Sequence, residues 1–141
     1  MRLPEGAKEI RGQDFTEQKY PHKEITDKVT GCAIRVHREL HAGFVEDIYE
    51  HALAHELTKQ GLSVERQRIL LVVYDGVPVG EHRADLIVEG KVVVEVKSVS
   101  GVSDQNMAQL MSTMKAAGAK VGLLINFGEA RLVDGARRVI M

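Results

Sequence analysis

The chain predicts a mixed α/β domain, and three observations carry that prediction. Two stretches with helical spacing come before a run of short valine-rich segments. A third helical stretch separates this run from one more apolar strand, and two acids and a lysine interrupt the most valine-rich part of the run. Two helices, an antiparallel meander, a crossover helix and a strand make a mixed central sheet flanked by helices, because the helix between strands lets the next strand return parallel.

Residues 1–23 are polar, lack hydrophobic periodicity and contain Pro4 and Pro21, so they read as a loosely held N-terminal arm. The folded unit is expected over 24–141. From Glu24 the apolar positions Ile25, Val29, Cys32, Ala33, Val36 and Leu40 recur at helical spacing and stop before Gly43. A second helix is predicted from Phe44 to Gln60, with Phe44, Val45, Ile48, Tyr49, Ala52, Leu53 and Leu57 as its stripe and Gly61 as its stop. Strands are expected near 62–67, 69–75, 78–88 and 91–98, with Asp75-Gly76 as a hairpin turn. Ser103 reads as the N-cap of a third helix whose stripe is Met107, Leu110, Met111 and Met114, closed by Gly118. Val121–Ile125 reads as a buried strand, and Arg131–Val133 and Arg137–Ile140 as short edge strands.

Composition narrows the function. The 141 residues, 44% of them hydrophobic, suffice for one domain with a real core. A formal net charge of -1 gives no overall basic field, so contact with nucleic acid has to come from a local patch or from bound cations. Aromatics are 4% and tryptophan is absent, which argues against a base-stacking platform. No apolar run approaches bilayer length and the start lacks the apolar core of a signal peptide, so no membrane partner is expected. The single cysteine, Cys32, excludes an internal disulfide and fits a reducing cytoplasm.

The chemistry concentrates in Arg83–Lys97. Alternation along a strand puts Val92, Val94 and Val96 on one face, with Val93, Glu95 and Lys97 on the other. A three-residue loop, Val88-Glu89-Gly90 with Gly90 left-handed, then sets Asp85 opposite Val93 and diagonal to Glu95, which gathers Asp85, Glu95 and Lys97 on one surface. Charges among core valines are costly unless they are paired or bind a metal, so a cation or a phosphate is the expected guest. Glu46 lies at the margin of the second helix's stripe, where it could face the sheet and add a third acid for Mg²⁺ or Mn²⁺. Arg83 points the same way as Asp85, toward a phosphate or an ion pair. His37/His41 and His51/His55 have zinc-chelating i, i+4 spacing, but neither pair has an obvious third ligand, and the second reads as surface. Gln109 and Thr113 fall on the polar side of the third helix.

These residues resemble a known family. Gly43-Phe44-Val45-Glu46-Asp47-Ile48-Tyr49 is similar to the GxxExxY signature of small bacterial and archaeal proteins of the PD-(D/E)XK nuclease superfamily. The likeness runs in order through Val36–Leu40, Arg83–Leu86, Glu95–Lys97, Ala108–Leu110 and Gly122–Phe127. It implies a restriction-endonuclease-like αβββαβ core and a Mg²⁺- or Mn²⁺-dependent nuclease acting on DNA. Asp85, Glu95 and Lys97 would be catalytic, Glu46, Asp85 and Glu95 metal ligands, and Gln109 and Arg83 substrate contacts. Thr113 stands where related nucleases often carry tyrosine, and Asn106 where a histidine is usual. That departure keeps open an accessory protein that binds nucleic acid on the same fold without useful turnover. Analogy with superfamily members that cut both strands implies a homodimer.

Overall fold

A computed structural model describes residues 3–11 and 20–141. Two helices, α1 (Lys23–Leu40) and α2 (Glu46–Lys59), precede the meander β2 (Val64–Tyr74), β3 (Val77–Val88) and β4 (Val92–Lys97). Helix α3 (Asp104–Ala117) then crosses to β5 (Val121–Asn126), a 3₁₀ turn spans Leu132–Gly135, and β6 (Ala136–Ile140) follows. With β1 (Lys8–Arg11) these strands form one sheet in the order β1-β6-β5-β4-β3-β2. Only β4 and β5 run parallel, as the α3 crossover requires. The predicted fold class, a mixed sheet flanked by helices, is the one observed.

Each face of the sheet has its own core. Val92, Val94 and Val96 pack with Leu123 and Ile125 under α1 and α2, against Val29, Ala33, Val36, Tyr49, Leu53 and Leu57. On the other face Val93, Leu124 and Val139 meet Met107, Leu110, Met111 and Met114 of α3. Burial of each such side chain contributes about 1.5–3 kcal/mol, so the valine alternation fixes which residues of β4 face which helix. Capping fixes α3 at both ends. Ser103 accepts from the Asn106 backbone while the Asn106 side chain accepts from the Ser103 backbone, and Gly118 closes the helix in the left-handed region.

Several boundaries differ from expectation, each for a local reason. The hairpin loop is Glu89-Gly90-Lys91, with Val88 paired to Val92 and both Glu89 and Gly90 left-handed. One further step along the ladder from Leu86↔Val94 sets Asp85 level with Glu95 rather than with Val93. The expected strands 62–67 and 69–75 are one strand, kinked at Gln67, whose φ of 52° interrupts the ladder without ending it. Arg131–Val133 belongs to a turn closed by the Asp134 amide on the Arg131 carbonyl, not to a strand. The segment expected at the edge near 137–140 is interior, because Lys8–Arg11 of the arm pairs with it as β1. Residues 1–2 and 12–19 of that arm lie outside the described residues.

At the carboxyl ends of β4 and β5, buried Asn126 ties the two exit loops together. Its Oδ1 accepts from the Val99 and Gly128 amides and its Nδ2 donates to the Val99 carbonyl, each at 3.0 Å. Gly128 has no room for more, since a Cβ there would lie 2.0 Å from the Val99 carbonyl oxygen. Gly128→Ala is expected to cost roughly 2 kcal/mol or more, because backbone rather than a flexible side chain has to move. Urea unfolding checks this: the midpoint should fall at an unchanged slope, and an unshifted midpoint would contradict the close approach.

Candidate active site at the exit of the central strands

Asp85 sits where β3 parts from β4. The strand pairing runs from Val88↔Val92 to Leu86↔Val94, and beyond it the Asp85 carboxylate takes over a backbone role, with Oδ2 accepting from the Val96 amide at 2.9 Å. Ala84 joins the core under α3 whereas Leu86 joins the core under α1 and α2, so the strand changes facing at Asp85. That half-buried carboxylate therefore borders both faces.

On the α3 side lies Glu95, 2% exposed, with Oε1 lacking any hydrogen-bond partner among the described residues. Burial, then the charge of Asp85, pushes the Glu95 carboxyl up to about 8, while Thr113 and Lys97 pull it back. Two carboxyls in contact, one with a dry, orphaned oxygen, form a donor set that a divalent cation would complete. Lys97, two residues on and on the same face, donates from Nζ to Gln109 Oε1 of α3 at 2.8 Å. That acceptor is a neutral amide oxygen, and the bond fixes the direction of the side chain. Thr113 is buried rather than solvated: its Oγ1 donates to the Gln109 carbonyl at 2.9 Å and lies 2.6 Å from His82 Nε2.

On the α2 side a cleft of about 920 Å³ opens, lined by Phe44, Glu46, Gln67, Asp85, Val96 and Ser98 among others. Tyr49 sets its rim. The ring stacks on Phe127 at 4.5 Å, and the hydroxyl donates to the His41 carbonyl and accepts from the Phe44 amide at 3.1 Å. Gly43, Glu46 and Tyr49 thus act together, with the tyrosine anchoring the turn that presents the acid. His37 bonds the Glu129 carbonyl at 2.9 Å and stays out of the cleft lining.

The sequence-predicted residues divide between the two sides. Glu95, Lys97 and Gln109 are together, with Asp85 beside Glu95. Glu46 is exposed at the cleft with no recorded bond to Asp85, and Arg83 is exposed on β3 opposite Ile69, away from the cleft lining. The α2 acid that reaches toward Asp85 is Glu50, which sequence reasoning missed. It is buried and accepts from Arg66 Nη2 at 2.6 Å and from Gln67 Nε2 at 2.5 Å, and Gln67 also reaches Asp85 Oδ1 at 3.5 Å. Burial, reinforced by Asp85, raises the Glu50 carboxyl although Arg66 and Gln67 lower it. A signal for Glu50 was present, since it shares a helix face with Leu53 and Leu57; Gln67 had none, because its backbone conformation is set by distant partners. Among the described residues the acidic and histidine groups that converge within 4.8 Å are Asp47, Glu50 and His51. The Arg66 guanidinium already stands among them, 2.6 Å from Glu50, 3.8 Å from Asp47 and 3.5 Å from His51.

Paired strand acids followed by a lysine, at the carboxyl end of a parallel strand pair, are the arrangement of a nuclease-like α/β domain. A model of the PD-(D/E)XK nuclease superfamily matches residues 23–139, and the chain belongs to that superfamily. Membership implies a nucleic-acid substrate. No curated protein and no solved structure gives a match. Among the described residues no helix is long and apolar enough to cross a membrane.

The raised Glu95 fixes the sign of a pH effect. Between the ordinary carboxylate value of 4.5 and about 8 the folded chain keeps a proton that the unfolded chain has released, so stability should fall as pH rises through that window. Glu95→Gln should flatten the decline. Urea unfolding in chelator at pH 5 and pH 8 measures it, and an unchanged slope in the variant would contradict the assignment.

Proposed function

We propose that the chain is a GxxExxY-type member of its superfamily and hydrolyses phosphodiester bonds in DNA with Mg²⁺ or Mn²⁺. The observation that carries this reading is the orphaned, buried Glu95 oxygen held against Asp85, with Lys97 aimed from the same face. Asp85 and Glu95 would hold the ion, which supplies Lewis-acid polarisation of a phosphate oxygen. Glu46 at the cleft and Glu50 beside Gln67 are the acids through which α2 would extend this ligand set. The active unit of this reading is 24–141, working as a homodimer.

The chain's own groups account for the remaining demands of the reaction. Hydrolysis needs an oriented water and compensation of charge on the phosphate oxygens. Lys97 meets the second, since its ammonium is held by a neutral acceptor and, among the described residues, makes no hydrogen bond to a carboxylate. The amide oxygen of Gln109 holds that lysine, and the rest of its exposed side chain is left to the substrate. Arg83, exposed on β3, supplies an outlying phosphate contact. A second reading, an accessory protein that binds without cutting, is favoured by the net charge of -1 and by Thr113, whose hydroxyl is taken up by helix and His82 bonds.

Calorimetric titration with Mg²⁺ and Mn²⁺, paired with cleavage assays on single- and double-stranded DNA, separates these readings. Asp85→Asn or Glu95→Gln should weaken ion binding on the order of 10²-fold. Lys97→Ala should slow cleavage roughly 10²–10³-fold while ion affinity is kept. Ion binding without cleavage would select the accessory reading, and no ion binding in the millimolar range would overturn both the metal assignment and the nuclease.

A further inference from the structure

Outside the cleft, the largest unexplained feature is the far end of the β2–β3 hairpin. Of the eleven exposed large hydrophobic side chains among the described residues, seven lie between Ile69 and Val79, with Tyr74 75% exposed and Val79 59%. Leu71 and Val73, across from α3, line a groove of about 820 Å³ with Ser112, Lys115 and Ala116. β2 is also the last strand of the sheet, so along Ile69–Tyr74 its outer edge has no strand partner among the described residues. A long apolar edge of this kind is normally covered or charged, because its free N–H and C=O groups recruit another strand.

We propose that this hairpin is the interface of a homodimer, with a second copy of the chain as its occupant. The exposed apolar side chains occupy both faces of the hairpin, so an interface of the standard ~800 Å² per partner takes the free β2 edge together with the face that looks toward α3. Charge selects the occupant. From Ile69 to Val79 the one charged residue is Asp75, with Lys115 and Arg83 only at the margin, so the apolar stretch itself carries no cation for a phosphate backbone or an acidic membrane. At the base of the same strand stands Arg68, paired on the surface with Glu65 at 3.1 Å. An antiparallel meeting of two β2 edges about a two-fold axis lays base against tip, bringing Arg68 of each copy toward Asp75 of the other. Exposed pairs such as Arg68–Glu65 hold little energy, so Arg68 turns at small cost. With a net charge of -1, two copies also meet without long-range repulsion. The interface lies apart from Asp85, Glu95 and Lys97 and gives the homodimer of the proposed function its contact surface, while ion binding at those residues is read separately from association.

Sedimentation equilibrium of the full chain across the micromolar range provides the test. Twice the chain mass is expected, and the chain mass alone for Leu71→Glu combined with Val79→Glu, with association weakened at least 100-fold and circular dichroism unchanged. Should that variant not fold, Val72→Cys replaces it: Cys32 is buried, and the two-fold that sets Arg68 against Asp75 passes between positions 71 and 72, so a short bis-maleimide should link two copies through position 72. A wild-type chain that stays monomeric, with or without affinity for some other protein, overturns the proposal. So does a dimer that survives the two glutamates, or a Val72→Cys chain that does not cross-link.

Discussion

Mutual repulsion between two carboxyls organises this protein. The sheet forces Asp85 and Glu95 together at the point where β3 leaves β4, with Glu95 buried under α3 and Asp85 open to the cleft. Neither can move away. Asp85 is tied to the Val96 amide, which belongs to the strand that carries Glu95, and Glu95 is walled in by α3. The conflict is therefore built into the backbone register, and a proton or a cation is the natural means of relieving it.

The surrounding groups hold that conflict in place. Asn126 fixes the loops leaving β4 and β5, Tyr49 fixes the turn between α1 and α2, and Gln109 fixes the ammonium of Lys97. Each joins elements distant in sequence. On the α2 side the same problem recurs in a solved form, since Glu50 is buried but already answered by Arg66 and Gln67. One acidic site is closed by a guanidinium and the other is left incomplete. That contrast separates a structural ion pair from a site able to take a ligand.

The parts legible in the sequence were those set by local periodicity. Valine alternation fixed the facing of Glu95 and Lys97, and Ser103 and Gly118 marked the ends of α3 where they are found. The hairpin loop was displaced because its length depends on two consecutive left-handed residues, and Glu89, the first of them, is not a glycine. β1 escaped notice for a different reason: Lys8–Arg11 has no apolar alternation and is a strand only because β6 offers it an edge. Thr113 looked solvated on its helical wheel because the wheel does not know that His82 comes across from β3. Long-range partners, invisible to periodicity, decided the last two.

The pairing of β1 with β6 also orders how the chain assembles. Lys8–Arg11 pairs with Ala136–Ile140, distant in sequence, whereas the β2–β3–β4 meander pairs consecutive strands and closes short loops. Bringing Asp85 and Glu95 face to face therefore costs less loop-closure entropy than sealing the opposite flank of the sheet.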